Sequence, residues 1–151
     1  MLILRQVVEE DLAVFYEHQR DDVATAMAAF PSRDRAAFVA HWHKRVLLSE
    51  NLTRAVVVDD QVAGYIGSWS QDGLRLVAYW IGREHWGKGI ATQALRAFLN
   101  VEPTRPLMAY VAEHNVGSIR VLEKCAFRAV AHESPQHADG VAEVLMRLDS
   151  T

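Results

Sequence analysis

The chain has little cysteine, little net charge and no long apolar run, and each shortage excludes something. Cys125 is the one cysteine among 151 residues, so no internal disulfide can form. The formal net charge is only -3, without the basic excess of a nucleic-acid-binding domain. No apolar stretch approaches the length of a membrane span. The opening residues, Met1-Leu2-Ile3-Leu4-Arg5, turn polar too soon for a signal peptide. Four prolines and eight glycines are scattered, leaving no linker, repeat or low-complexity segment. These absences point to a cytoplasmic protein, monomer or homodimer, with no nucleic-acid or membrane partner. What is present is a globular composition, 50% hydrophobic, in a chain long enough for one core. A single domain spanning 1–151 is expected.

Periodicity and turn signals place the elements. Leu2 to Val7 reads as a strand. Glu9 to Arg20 reads as a helix, with acids in its first turn and Leu12, Phe15, Tyr16 and Gln19 at helical spacing. Pro31-Ser32 breaks the chain, and Ser32 can cap a second helix with an apolar face of Phe38, Val39, Trp42 and Val46. Arg54 to Val58 and Val62 to Trp69 read as strands turned by Asp59-Asp60-Gln61. Asp72-Gly73 is a hairpin signal leading into a strand from Leu74 to Ile81. A helix from Lys88 to Leu99, a strand from Pro106 to Ala112 and a helix from Asn115 to Cys125 follow. Arg128 to Glu133 and Val141 to Leu148 close as a hairpin. The order β-α-α-β-β-β-α-β-α-β-β predicts an α+β domain, a mixed central sheet with helices on both faces.

The most informative stretch joins Tyr79-Trp80-Ile81 to Trp86-Gly87-Lys88-Gly89-Ile90-Ala91-Thr92. An apolar strand runs into a glycine loop that opens a helix. The first N–H groups of a helix lack internal partners, and the helix dipole adds positive potential there. Such a junction suits a phosphate or pyrophosphate. Two common glycine loops fail to fit. A Walker A loop needs a hydroxyl after its lysine, where Gly89 stands, and a dinucleotide loop needs a third glycine, where Thr92 stands.

The loop resembles the acetyl-CoA-binding motif of the GCN5-related N-acetyltransferases, Q/R-x-x-G-x-G/A, read here as Trp86-Gly87-Lys88-Gly89-Ile90-Ala91. Trp86 in place of Gln or Arg is similar to the branch containing the ribosomal-protein N-terminal acetyltransferases. A second motif of the family follows: Asn115-x-x-Ser118-x-x-Val121-Leu122-x-Lys124-x-x-Phe127. The resemblance implies acetyl-CoA as co-substrate, no metal, and a small-molecule or peptide amine as acceptor. It implies a pyrophosphate on the N–H groups between Gly87 and Thr92, with Lys88, Gly89, Ile90 and Ala91 in the loop. It also implies a pantetheine arm beside Trp80 and Ile81, touched by Asn115. Each role has a plainer alternative: Trp80 can simply fill the core, and Asn before a helix is a strong cap in any protein.

The implied reaction is direct attack of a primary amine on the thioester. The family's usual proton donor, a tyrosine seven residues after the motif asparagine, is replaced by Leu122. A glutamate three residues before the Tyr-Trp pair is replaced by Leu76. Tyr79 and Ser118 become the catalytic candidates, with Glu113, His114 and Asp72 behind them. Those two losses leave open a non-catalytic CoA-binding module, and the partial Walker pattern a P-loop domain. The histidines lack metal-ligand spacing: His41 and His43 flank Trp42, and His85, His114, His132 and His137 are scattered. Cys125 shares a helical face with Ile119 and Leu122 and reads as a small buried hydrophobe. The acceptor is expected between the first helices and the last hairpin, near Asp21, Asp22, Glu133 and Asp139. Ala126 stands where the family has glycine, so it must take a left-handed conformation or end its helix differently.

Overall fold

Alternating apolar positions along the strands fix which side of the sheet each one faces. In the computed structural model, which describes residues 1–29, 32–48, 50–133 and 141–150, these strands form one seven-stranded mixed sheet. The strands are β1 (Leu2–Gln6), β2 (Leu52–Val58), β3 (Gln61–Gln71), β4 (Leu74–Ile81), β5 (Leu107–Ala112), β6 (Arg128–Glu133) and β7 (Glu143–Leu148). Their order across the sheet is β1-β2-β3-β4-β5-β7-β6. All neighbours are antiparallel except β4 and β5, which run parallel. Both two-residue hairpin turns use positive φ at each central residue, +48° and +68° at Asp59-Asp60 and +52° and +79° at Asp72-Gly73. That geometry matches the right-handed twist of the strands it joins.

The helices are α1 (Asp11–Gln19), α2 (Asp22–Ala28), α3 (Arg35–His41), α4 (Ile90–Leu99) and α5 (Val116–Lys124). Val56 turns to the α4–α5 side and packs with Ile66, Leu95, Phe98 and Leu122. Its neighbours Ala55 and Val57 turn to the other side and pack with Leu12, Phe15, Phe38 and Trp42. On that side the Phe15 and Trp42 rings stack at 5.0 Å, and Trp42 meets Tyr65 edge-on at 4.8 Å. Arg5 of β1 grips the buried Asp11 carboxylate with two hydrogen bonds, 2.7 and 2.8 Å, and so fixes where α1 starts.

Three expectations need correction. The chain between Arg20 and the Pro31 region holds a helix, α2, that periodicity did not announce; its cap is Asp21, whose side chain accepts the Ala24 N–H at 2.9 Å. The cap of α3 is Asp34, which accepts the Ala37 N–H at 2.8 Å, and Ser32 plays no capping role. The apolar face expected of that helix is present, but its second half, Trp42–Val46, is a π-helical turn. Pro31, His137 and Asp139 lie outside the described residues.

Ala126 does take the left-handed conformation, φ +74°. The Phe127 N–H bonds the Leu122 carbonyl and the Ala126 N–H bonds the Glu123 carbonyl, both at 3.0 Å, closing α5 as a Schellman motif. A side chain in this region costs energy that glycine avoids. Ala126→Gly should therefore stabilise the domain by about 0.5–1 kcal/mol, net of glycine's extra freedom in the unfolded chain. Urea melts of the two proteins check this; an equal or lower midpoint for the variant would contradict it.

Candidate active site

β4 and β5 pair at one register, Leu76 with Met108, and then part. Beyond that point β4 still pairs with β3, Gly64 opposite Ile81, and the Gly82 N–H bonds the Ala63 carbonyl at 2.8 Å. Antiparallel ladders alternate bonded and outward-facing residues. Since Gly82 faces β3, the N–H and C=O of Ile81 and of Tyr79 face away from it, toward the gap. The gap opens into a cleft of about 640 Å³. A wider groove of about 1010 Å³ lies along α1, between Ala13, Val14, His18 and Glu84, but it holds no residue of either motif.

The cleft collects most of the residues singled out from sequence. Trp80, Ile81, Gly87, Gly89, Ile90, Ala91, Thr92 and Asn115 all line it, as do Tyr79 and Ser118. Lys88 is exposed and outside the lining. Gly87 and Gly89 have φ of +77° and +74°, and Gly89 caps α4. A Cβ at Gly87 would meet nothing within 4 Å, so the loop fronts open space over the first turn of α4. Backbone N–H groups facing an open concavity are what a pyrophosphate requires. Asn115 is both a cap and a wall: its side chain accepts the Ser118 N–H at 3.3 Å while the residue borders the cleft.

Tyr79 from β4 and Ser118 from α5 meet across the cleft floor, their hydroxyl oxygens 2.7 Å apart. Burial pushes the Tyr79 phenol up to about 12, against a smaller opposing pull from the Ser118 hydrogen bond. The phenol stays protonated at any ordinary pH. The Tyr79 hydroxyl also reaches the Ser118 carbonyl oxygen at 3.4 Å, so the two O–H hydrogens are shared among Tyr79 Oη, Ser118 Oγ and that carbonyl. Leu122, at the position of the family's usual tyrosine, is fully buried in the core. Among the remaining candidates His114 lines the cleft, while Glu113 and Asp72 are exposed and do not. Cys125 is buried, and burial raises its thiol above the ordinary range, as suits a packing residue.

Three features were missed from sequence. Ala24, Met27 and Ala28 of α2 form a further wall of the cleft, and the His114 ring Nε2 bonds the Ala26 carbonyl at 2.9 Å, holding that helix in place. His85 also lines the cleft. Trp86 bends back so that its indole N–H donates to the Ile81 carbonyl at 2.9 Å. His114 was named in the sequence, but its meeting with α2 at the Ala26 carbonyl was not visible there.

Residues 1–128 match the family model described as an acetyltransferase (GNAT) domain. The chain belongs to the GNAT acetyltransferase family. Solved structures share this GNAT fold. The aminoglycoside acetyltransferase AAC(6')-Ib in complex with coenzyme A is 21% identical, with a TM-score of 0.81 over 99% of this chain and 95% of that one. Spermidine N-acetyltransferase from Vibrio cholerae, in complex with CoA and spermine, is 17% identical, with a TM-score of 0.80 over 98% and 95%. A GNAT-family acetyltransferase from Bacillus anthracis is 18% identical, with a TM-score of 0.77 over 98% and 94%. No curated protein matches the chain by sequence. The GNAT domain's last strand, β7, lies beyond the matched residues yet pairs with β5 along its whole length. Among the described residues, no group of three or more His, Cys, Asp or Glu is placed to hold a metal, and no helix is long and apolar enough to cross a membrane.

Proposed function

We propose that this GNAT domain is a cytoplasmic N-acetyltransferase that moves an acetyl group from acetyl-CoA to a primary amine, by direct attack within a ternary complex. One observation carries the reading. The glycine loop, the outward-facing end of β4 and the Tyr79–Ser118 hydroxyl pair all border a single cleft. Acetyl-CoA supplies the acetyl group as a thioester. The N–H groups between Gly87 and Thr92 hold its pyrophosphate, with Lys88 adding charge from outside. Trp80, Ile81 and Asn115 flank the pantetheine arm. The amine nitrogen bonds the carbonyl carbon, the C–S bond breaks, and the nitrogen's proton is given up so that an amide and CoA result. The oxyanion formed on the way takes a hydrogen bond from the Ile81 N–H.

Tyr79 and Ser118 attend the departing sulfur. A thiol has a pKa near 8.5, some three units below the phenol. Complete proton transfer from Tyr79 to the thiolate is thus unfavourable by roughly a thousandfold or more. Its role is to donate a hydrogen bond to the developing negative charge, while the proton that reaches sulfur comes by way of water. Tyr79 on β4 thereby supplies, from the opposite wall, the phenol that α5 lacks at Leu122.

The Tyr-Trp-Ile strand end and the Trp-Gly-Lys-Gly loop support kinship with the ribosomal-protein N-terminal acetyltransferases, and so a peptide N-terminus as acceptor. Spermidine, kanamycin and a Ser-Ala-led peptide, each incubated with acetyl-CoA, test this by CoA release. No release with any of them, alongside tight acetyl-CoA binding, would favour a non-catalytic CoA-binding module. Binding itself is tested by Gly89→Val, which crowds the loop and strains a positive φ. Acetyl-CoA affinity should fall well over tenfold, a few kcal/mol at most, and Lys88→Ala should matter less. Calorimetric titration decides, with thermal melts to show that the variants are folded. Unchanged affinity in a folded Gly89→Val protein would overturn the assignment of the loop.

A further inference from the structure

Trp86 sits where this family's motif has Gln or Arg, and the proposal for it concerns the end of β4. Ile81 turns both its N–H and its C=O toward the gap between β4 and β5, because Gly82 takes the bonded position opposite Ala63. A strand end of that kind offers a donor and an acceptor side by side. Only the donor helps acyl transfer. The thioester oxygen gains negative charge as the amine adds, and a neighbouring carbonyl lone pair repels that charge. A free carbonyl would also bind an ammonium group, holding the acceptor in its protonated, unreactive form.

The indole removes the acceptor. Trp86 Nε1 donates to the Ile81 carbonyl at 2.9 Å, and the residue remains 40% exposed at the cleft mouth. The bond spans the whole turn from β4 to the glycine loop, so it also ties the strand end to the loop that faces the pyrophosphate. Gly64, opposite Ile81, holds the other side: a Cβ there would lie 2.0 Å from the Trp80 carbonyl oxygen, so β3 and β4 are pressed together at this point. The end of β4 is thus gripped from both sides, by backbone on one and by an indole on the other.

We propose that Trp86 is a positioning residue for acetyl transfer: by bonding the Ile81 carbonyl it leaves the Ile81 N–H as the group that meets the acyl oxygen. The inference rests on the reading that acetyl-CoA lies along this strand end. A hydrogen bond to a carbonyl oxygen weakens the C=O bond, so the infrared stretch of bound acetyl-CoA labelled with carbon-13 at the thioester carbonyl reports it directly, with no acceptor needed. Two replacements are compared with the unaltered protein. One is the benzothiophene analogue of tryptophan at position 86, which keeps the shape and loses the N–H. The other is Trp86→Phe.

The thioester stretch of the unaltered complex should lie below that of free acetyl-CoA. In both variants it should move back toward the free value, while acetyl-CoA affinity by calorimetry changes by no more than about threefold. A stretch that stays put in the benzothiophene variant overturns the proposal, as does a loss of affinity with an unshifted stretch, which would make Trp86 a binding group. A stretch at the free value in the unaltered complex also overturns it. If acetyl-CoA does not bind the unaltered protein, the acetyltransferase reading fails and the proposal falls with it, an outcome distinct from the others.

Discussion

Tyr79→Phe is expected to slow acetyl transfer by about a hundredfold without changing acetyl-CoA affinity. Removing one hydrogen-bond donor to a developing negative charge typically costs 10²–10³-fold. The lower end applies because the Ser118 hydroxyl, 2.7 Å from the phenol, remains. Single-turnover transfer to spermidine, kanamycin or the Ser-Ala-led peptide, whichever releases CoA, measures the step. The pH dependence sharpens the test. With the phenol at about 12, its ionisation cannot lower the rate anywhere below about pH 10. The rate should instead rise with pH as the acceptor amine loses its proton. Ser118→Ala should cost less, and a rate within a few-fold of the original in both variants would leave water as the sole donor.

Glu102→Ala should destabilise the domain by about 3–5 kcal/mol, the usual cost of stranding one member of a buried ion pair. Glu102 is 2% exposed, at the exit of α4, and its Oε1 accepts hydrogen bonds from Ser68 Oγ and Arg75 Nε, each at 2.6 Å. The Thr104 N–H donates to the other oxygen at 3.2 Å. Burial alone would raise this carboxyl, but the bonds from Ser68, Arg75 and Thr104 outweigh it and hold the group below the ordinary glutamate range. The sign of the pH dependence follows. A lowered folded-state pKa gives stability that is complete above the unfolded value, near 4.3, and is lost as pH falls through the folded one. Urea melts at pH 7 should show the full deficit, and the gap between the two proteins should narrow below about pH 4. A variant within 1 kcal/mol of the original at pH 7 would mean that the pair contributes little.

The parts of this fold that sequence reading reached are those set by local chemistry. The Asp59-Asp60 and Asp72-Gly73 turns, the apolar face of α1 and the closing pair of strands β6 and β7 all follow from residues close together in the chain. The loop residues Gly87 and Gly89 were legible for the same reason, since a strand-to-helix junction displays its donors locally. What escaped was settled at long range. α2 has only two turns, and its stability comes from packing and from His114, far along the chain, rather than from periodicity. The contest between Ser32 and Asp34 for the α3 cap turned on which side chain could reach the Ala37 N–H. Tyr79 and Ser118 were each nameable, but the bond between them depends on where β4 and α5 cross. The Trp86–Ile81 bond is short in sequence yet depends on which way Ile81 faces, and that is fixed by pairing with β3.

The position of β7 between β5 and β6 bears on how the domain is made. β7, the last of the seven described strands in chain order, is an interior one. Until it leaves the ribosome, β5 has no partner on that side and β6 has none at all. A nascent chain that has completed both motifs therefore still displays open strand edges, of the kind that pair with other chains. The half of the sheet beyond β4 can close only once β7 is available to slide between two strands already present.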